Sequence, residues 1–175
     1  MEKILAISGS LRARSTNLTI INQIARRFAD RIEVSVYDGL ARLPHFNPDL
    51  EAGAPIAEVE DFRRRVRAAD GVLICTPEYV FSIPGALKNA LEWTVGTGDF
   101  AGVPVALITA SSLGEKTHES LLLVLKTIEA RITEHTALLI SGARTKLNSE
   151  GKISDAPTIE ALNLVIESFL RTIDE

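Results

Sequence analysis

A cluster of hydroxyl, amide and guanidinium side chains follows the first apolar run of the chain and has the chemistry to bind an anion. Residues 8–17 read SGSLRARSTN, and the polar groups among them are Ser10, Arg12, Arg14, Ser15, Thr16 and Asn17. They surround the start of a predicted helix, whose unpaired N–H groups and positive dipole end favour an anion. The segment lacks the glycine–lysine–hydroxyl ending of a Walker loop and the three-glycine dinucleotide fingerprint. We therefore predict a site for a mononucleotide phosphate; the alternative is that Ser and Asn only cap the helix.

A second candidate segment, residues 76–93, reads TPEYVFSIPGALKNALEW. Pro77 ends an apolar run, and Ser82 is predicted to cap the helix that follows. Backbone amides between residues 78 and 81 could bind the edge of a heterocycle, with Tyr79 and Phe81 as apolar walls. The segment therefore predicts a binding loop for a flat ligand.

The third candidate segment, residues 106–120, reads ALITASSLGEKTHES, in which Ser111 and Ser112 present hydroxyl and amide groups. The histidines of the chain are far apart and lack the spacing of metal ligands. His118 is interpreted as a polar surface residue near a helix start; the alternative is a place near the cofactor or the nicotinamide. We predict no metal site, and no residue is named as catalytic.

Strand-length apolar runs alternate with helical segments, and these elements must position the three loops. Strands are predicted at residues 3–8, 33–37, 71–76, 103–109 and 136–140. Most of these runs are continuously apolar, which indicates strands covered on both faces, as in parallel sheets. Apolar residues repeat at helical spacing between the strands, and the last helix is predicted behind Asp155 as its N-cap. This alternation predicts a doubly wound sheet whose ligands bind beyond the carboxyl ends of the strands.

Composition excludes several classes of protein. The chain has 175 residues and a formal net charge of −4, which fits one globular domain, residues 1–175, and argues against a nucleic-acid partner. The apolar N-terminal stretch is too short for a membrane-spanning helix. Cys75 is the single cysteine; it can form no intrachain disulfide, so a cytoplasmic location is expected, and it is predicted to be a buried small hydrophobe.

An arginine-rich run occupies residues 63–67, RRRVR. Apolar residues interleave with it at helical spacing, so Arg63, Arg64, Arg65 and Arg67 are predicted to project from the solvent face of an amphipathic helix. The alternative is a docking patch for an acidic partner or a ligand phosphate.

The first two candidate segments resemble the NAD(P)H-dependent FMN reductase family, a flavodoxin-like group that includes quinone, chromate and azo-dye reductases. The resemblance rests on GSLR with a following Ser and Asn, and on PEY, S, PG and LKNA about 60 residues later. The intervening FNPDLEA is also similar. The resemblance implies a flavodoxin-like three-layer α/β/α sandwich around a five-stranded parallel doubly wound sheet with strand order 2-1-3-4-5.

The resemblance also implies which residues bind the cofactor FMN. Ser10, Arg12, Ser15 and Asn17 match positions that hold the FMN phosphate, and the PEY loop matches the one that edges the ribityl chain and the isoalloxazine ring. The predicted cofactor-binding residues are Ser10, Arg12, Ser15, Thr16, Asn17, Pro77, Glu78, Tyr79, Val80, Ser82, Ser111 and Ser112. Two features depart from the family: Val80 stands where Asn is common, and Gly114 stands alone where a glycine-rich turn is usual.

A member of this family passes a hydride from NAD(P)H to FMN and then electrons to a quinone-like or other small oxidised acceptor. The resemblance further implies a homodimer or homotetramer. The alternative function is a flavin-binding redox sensor or electron carrier without broad reductase activity. A phospho-acceptor signalling receiver would need an Asp at the end of the third strand, where the chain has Thr76.

Overall fold

Five parallel strands form one sheet in the order β2-β1-β3-β4-β5, which confirms the predicted topology. The strands are β1 (Glu2–Ser8), β2 (Ile32–Val36), β3 (Gly71–Thr76), β4 (Val105–Ala110) and β5 (Ala137–Ile140). The computed structural model describes residues 1–175. The chain runs from β1 outward to β2 and then returns past β1 to β3, so the winding direction reverses between β1 and β3. The carboxyl ends of these two strands therefore define the switch point where a ligand is expected.

Six helices connect and cover the strands: α1 (Thr16–Arg27), α2 (Pro48–Glu51), α3 (Ala57–Arg67), α4 (Gly85–Glu92), α5 (Glu115–Thr127) and α6 (Ala156–Asp174). Successive side chains of a strand point to opposite faces. In β1, Ile4 and Ala6 pack with α1 and α6, whereas Leu5 and Ile7 pack with α3, α4 and α5. None of the helices combines the length and the apolar character needed to cross a bilayer.

The predicted element boundaries are mostly within one or two residues of the observed ones. β3 has the predicted bounds, and β4 begins at Val105 because Pro104 has no N–H for the ladder. Asp155 is the N-cap of α6, and its carboxylate accepts from Thr158 N–H at 3.1 Å. The predicted capping role of Ser82 is wrong, since Pro84 is the N-cap of α4 and no side chain caps this helix.

The prediction of a solvent-facing arginine run is wrong for Arg63. Its side chain is buried, and its Nε and Nη2 donate to the Trp93 carbonyl at 2.8 and 2.6 Å. The guanidinium also pairs with Glu51 at 2.5 Å and with the fully buried Asp99 at 3.6 Å. Position 63 lies on the same buried stripe of α3 as Phe62 and Val66, so this side chain enters the core and is neutralised there.

Candidate functional site

A cavity of about 600 Å³ lies at the carboxyl ends of β1, β3 and β4. This volume is typical of sites for small ligands and cofactors, roughly 300–1,000 Å³. The lining residues are Ser10, Arg12, Arg14, Ser15, Thr16, Asn17, Pro77, Glu78, Tyr79, Ala110, Ser111, Ser112, Ala143, Arg144, Leu147, Asn148, Ser149 and Gly151. All predicted cofactor-binding residues except Val80 and Ser82 are among them. The structure thus brings the three candidate segments together around one cavity.

The loop between β1 and α1 offers hydrogen-bond donors that the protein does not use. Ser15 is the N-cap of α1, and its Oγ accepts from Asn17 N–H at 3.2 Å, so the capping alternative is also correct for this residue. The main-chain N–H groups of residues 13–16 donate no hydrogen bond within the protein. Free N–H groups at a helix N-terminus are suited to an anion, and this donor set fits the phosphate of FMN.

A close contact between strands explains the glycine that begins this loop. A Cβ on Gly9 would lie 2.1 Å from the Thr76 Oγ1 at the end of β3. Any side chain at position 9 would therefore push β1 and β3 apart at the switch point, beside the cavity.

The charge of the lining is strongly one-sided. Arg12, Arg14 and Arg144 are exposed, line the cavity and form no ion pair within the chain. Glu78 is the one acidic residue in the lining. The cavity is thus positive although the whole chain carries a formal charge of −4.

The carboxylate of Glu78 is engaged by the N-terminus of α5. Its Oε1 accepts from Gly114 N–H at 3.2 Å and its Oε2 accepts from Thr117 N–H at 3.0 Å. The Glu78 N–H donates to Ser111 Oγ at 3.2 Å. Glu78 therefore joins the loop after β3 to the loop after β4 and satisfies two of the unpaired N–H groups of α5.

A tight turn follows Glu78 and places Val80, Phe81 and Ser82 outside the cavity lining. Tyr79 and Ser82 exchange both main-chain hydrogen bonds, at 3.1 and 3.0 Å. Val80 and Phe81 between them have φ values of 50° and 54°, as in a type I′ turn, which favours Asn and Gly at these positions. A turn of this kind suits the Asn that the resemblance leads us to expect at position 80. Val80 instead adopts a conformation unfavourable for a β-branched residue, with its side chain 96% exposed.

The loop after β4 keeps two main-chain donors free. The N–H groups of Ser112 and Leu113 donate no hydrogen bond within the protein. Gly114 then begins α5 with a φ of 98°, and a Cβ there would lie 2.8 Å from Leu139 Cδ1. One glycine is therefore enough to turn the chain closely over the strand ends, without the glycine-rich sequence usual in the family.

The structure adds a fourth wall that the sequence analysis did not include. Ala143, Arg144, Leu147, Asn148, Ser149 and Gly151 line the cavity from the segment between β5 and α6. The rule that ligands bind at the carboxyl ends of parallel strands applies to the loop after β5 as well. The position of this segment after a strand was the available signal.

His118 is half-buried rather than a surface residue, so that interpretation is wrong. Its Nδ1 lies 2.9 Å from the Thr109 Oγ1, and burial lowers the pKa of the imidazole. His118 does not line the cavity. Cys75 is fully buried as predicted, and burial raises the pKa of its thiol.

The sheet order and the cavity at its switch point define a flavodoxin-like α/β protein. The fold is similar to that of a solved flavoenzyme NAD(P)H:(acceptor) oxidoreductase, FerB from Paracoccus denitrificans, with a TM-score of 0.84 and 25% identity over 99% of this chain and 98% of that one. A family model described as NADPH-dependent FMN reductase matches residues 2–145. The chain belongs to this family.

Two curated relatives agree with this assignment. An NADH-dependent flavin reductase subunit 2 from Lactobacillus johnsonii is 32% identical over 99% of this chain and 98% of its own length. A quinone reductase from Escherichia coli is 39% identical over 116 residues, which are 64% of this chain and 61% of that protein. The protein is therefore an oxidoreductase of the FMN- and NAD(P)H-using type, and the reductase prediction is favoured over the sensor or carrier.

Proposed function

We propose that this oxidoreductase binds FMN with the phosphate at the N-terminus of α1 and passes electrons from NAD(P)H to a quinone-like or other small oxidised acceptor. The observation that carries the proposal is the set of unused main-chain N–H groups at residues 14–16, which line a positive cavity at the switch point of the sheet. The quinone reductase relative supports the class of acceptor.

The lining residues divide into two groups by the part of FMN they would hold. Ser10, Arg12, Ser15, Thr16 and Asn17 offer hydroxyl, amide and guanidinium donors, which suit the phosphate. The second group faces the ribityl chain and the isoalloxazine ring, and it consists of Pro77, Glu78, Tyr79, Ser111 and Ser112. Val80 and Ser82 act through the turn that they form and do not reach the cavity lining.

FMN supplies the redox chemistry when it is bound, so the chain has to supply placement and electrostatics. The free N–H groups of Ser112 and Leu113 are the donors we assign to the edge of the ring, where they would stabilise negative charge that develops on reduction. The Glu78 carboxylate would repel negative charge on the ring. Its hydrogen bonds to the N-terminus of α5 reduce this repulsion, because they offset part of the negative charge of its oxygens. No side chain is assigned as a catalytic acid or base.

We also propose that the protein is a homodimer or homotetramer in the cytoplasm. Several large apolar side chains are exposed on the loops around the cavity: Leu11, Tyr79, Val80, Phe81 and Leu113. Apolar groups clustered at the mouth of a site support contact with another subunit. The single buried cysteine supports the compartment.

Flavin spectroscopy tests the proposed function. The purified chain is expected to bind FMN and quench its fluorescence at micromolar concentration. Under anaerobic conditions, NADH or NADPH should bleach the visible flavin absorbance, and a soluble benzoquinone should restore it. FMN that binds but stays oxidised in the presence of both nucleotides would instead support a carrier or sensor, and failure to bind FMN would contradict both functions.

A further inference from the structure

The segment between β5 and α6, residues 141–155, lines one side of the cavity and is fixed at both ends. Near its start, Gly142 N–H donates to the Ser112 carbonyl at 3.0 Å, and Ala143 N–H donates to the Ser111 carbonyl at 2.9 Å. Near its end, the side-chain amide of Gln23 on α1 bonds the Ile153 main chain twice, at 2.8 and 3.0 Å. The wall between these anchors is therefore an ordered part of the site.

The chemistry of this wall suits an anion. Arg144 lines the cavity, is exposed and forms no ion pair. Asn148 Oδ1 accepts from the N–H groups of Glu150 and Lys152, both at 3.0 Å, so its amide NH₂ is the group left without a partner. Ser149 adds a hydroxyl, and no carboxylate from this wall lines the cavity.

Arg144 is surplus to what the flavin phosphate needs. A phosphate monoester carries about −1.5 to −2 charges at neutral pH. Arg12 and Arg14 on the loop after β1, together with about half a positive charge at the N-terminus of α1, already match it. Arg144 comes from a segment tied to the loop after β4, and β1 and β4 are separated by β3. Two strand spacings are about 9–10 Å, so the anchor that directly precedes Arg144, at Gly142 and Ala143, lies on the β4 side of the cavity.

We infer that Arg144 binds a phosphate of the reduced nicotinamide dinucleotide, with Asn148 and Ser149 as neighbouring donors. The inference rests on the proposed function and names the residue that recognises the hydride donor. NAD(P)H is the reactant that brings several negative charges, whereas a quinone is uncharged and gains nothing from a guanidinium. The anion is either the pyrophosphate, common to NADH and NADPH, or the 2′-phosphate of NADPH.

The test compares hydride donors with and without phosphates. FMN-loaded wild type, Arg144→Ala and Arg144→Lys are assayed with NADPH, NADH and N-benzyl-1,4-dihydronicotinamide, which has no phosphate. Arg144→Ala is expected to lower kcat/KM for NADPH by about 10- to 100-fold, the usual range for one charged hydrogen bond, and to leave the benzyl donor unchanged. Arg144→Lys should recover part of the loss. If Arg144 binds the pyrophosphate, kcat/KM for NADH should fall as much as kcat/KM for NADPH. If Arg144 binds the 2′-phosphate, kcat/KM for NADH should not change.

Lys152→Ala is the matched control, because Lys152 is an exposed cation of the same segment that does not line the cavity. It is expected to change none of the rates. Binding of 1,4,5,6-tetrahydro-NADPH, which donates no hydride, gives a readout independent of turnover and should weaken in Arg144→Ala alone.

Three results would overturn the inference: an equal loss with the benzyl donor, unchanged binding of the tetrahydro analogue, or a loss of affinity for FMN but not for riboflavin. The last result would assign Arg144 to the flavin phosphate. Failure of wild type to oxidise any donor would contradict the proposed function, whereas the binding titration would still decide the role of Arg144.

Discussion

The Ser10 Oγ lies 3.2 Å from the Tyr79 hydroxyl oxygen. This hydrogen bond spans the switch point and joins the loop after β1 to the loop after β3. The group proposed to hold the FMN phosphate and the group proposed to face the ring are therefore in direct contact before any ligand enters, and the site is largely preformed.

Removing one phosphate partner should distinguish FMN from riboflavin. Arg12→Ala is expected to weaken FMN binding about tenfold, because a charged hydrogen bond to phosphate is lost, and to leave riboflavin binding nearly unchanged. Flavin fluorescence titrations measure both constants. Arg26→Ala removes an exposed arginine of α1 outside the cavity and serves as the control. Equal losses for both flavins in Arg12→Ala would contradict the assignment of this loop.

Glu78 should matter for stability through its contact with α5. Glu78→Ala leaves the N–H groups of Gly114 and Thr117 without their acceptor and is expected to cost about 1–2 kcal/mol, the usual effect of losing a helix cap. Glu78→Gln keeps one acceptor oxygen and should cost less. Urea unfolding monitored by circular dichroism measures the difference. The control is Glu119→Ala, on the exposed face of α5; a loss in the control as large as that in Glu78→Ala would argue against the cap.

A substitution at Val80 should stabilise the turn that Val80 and Phe81 form. Val80→Asn is expected to raise the free energy of unfolding by about 0.5–1 kcal/mol, because Asn tolerates positive φ better than a β-branched residue does. Val95→Asn is the control, since Val95 is also exposed but has no positive φ. A gain at both positions would point to the removal of an exposed apolar side chain rather than to the backbone of the turn.

Replacing the buried Arg63 should lower the stability of the fold strongly, although helical spacing predicts an exposed position. Arg63→Met is expected to cost about 3 kcal/mol, because the Trp93 carbonyl loses both guanidinium donors and Glu51 loses its partner, while Asp99 keeps Arg67 at 2.6 Å. Arg64→Met, one residue further along on the exposed face of α3, should stay within about 0.5 kcal/mol of wild type. Similar losses in thermal unfolding for the two variants would show that Arg63 is not specifically required.

His118 gives the fold a pH dependence of known sign. Burial lowers the pKa of His118 below its ordinary value of 6.5, so the unfolded chain binds this proton more readily than the folded chain. The contribution of neutral His118 to the free energy of unfolding is therefore complete above pH 6.5 and is lost as the pH falls below 6.5. The difference in unfolding free energy between wild type and His118→Gln should shrink from pH 7.5 to pH 5.5. A difference that grows over that range would reverse the sign of the shift.

The fold was predictable because its signals are local. Each strand is a nearly continuous apolar run and each long helix has an apolar stripe, so element type, strand bounds and the parallel sheet follow from periodicity. The burial of Arg63 was not predictable, because helical spacing places this residue at the border between the buried and the exposed face of α3. Its contacts with Trp93, Glu51 and Asp99, which are distant in the sequence, place it on the buried face.

The candidate site was predictable where it lies on loops directly after β1, β3 and β4. The position of Ser82 was missed because a type I′ turn with valine and phenylalanine has no sequence signal. The contribution of Arg144 was missed because residues 141–155 reach the cavity through distant contacts, to Ser111 and Ser112 on one side and to Gln23 on the other. Those contacts are tertiary, so the one signal that the sequence offers is the position of the segment after the fifth predicted strand.

The way residues 141–155 are held has a consequence for the design of variants. The segment contributes main-chain atoms to its anchors at Gly142, Ala143 and Ile153, and the Arg144 side chain takes no part in them. Residue 144 can therefore change while the wall keeps its position, whereas Asn148 is held by two N–H groups of its own turn. Substitution at position 144 is a route to a different hydride-donor preference on an unchanged flavin-binding scaffold.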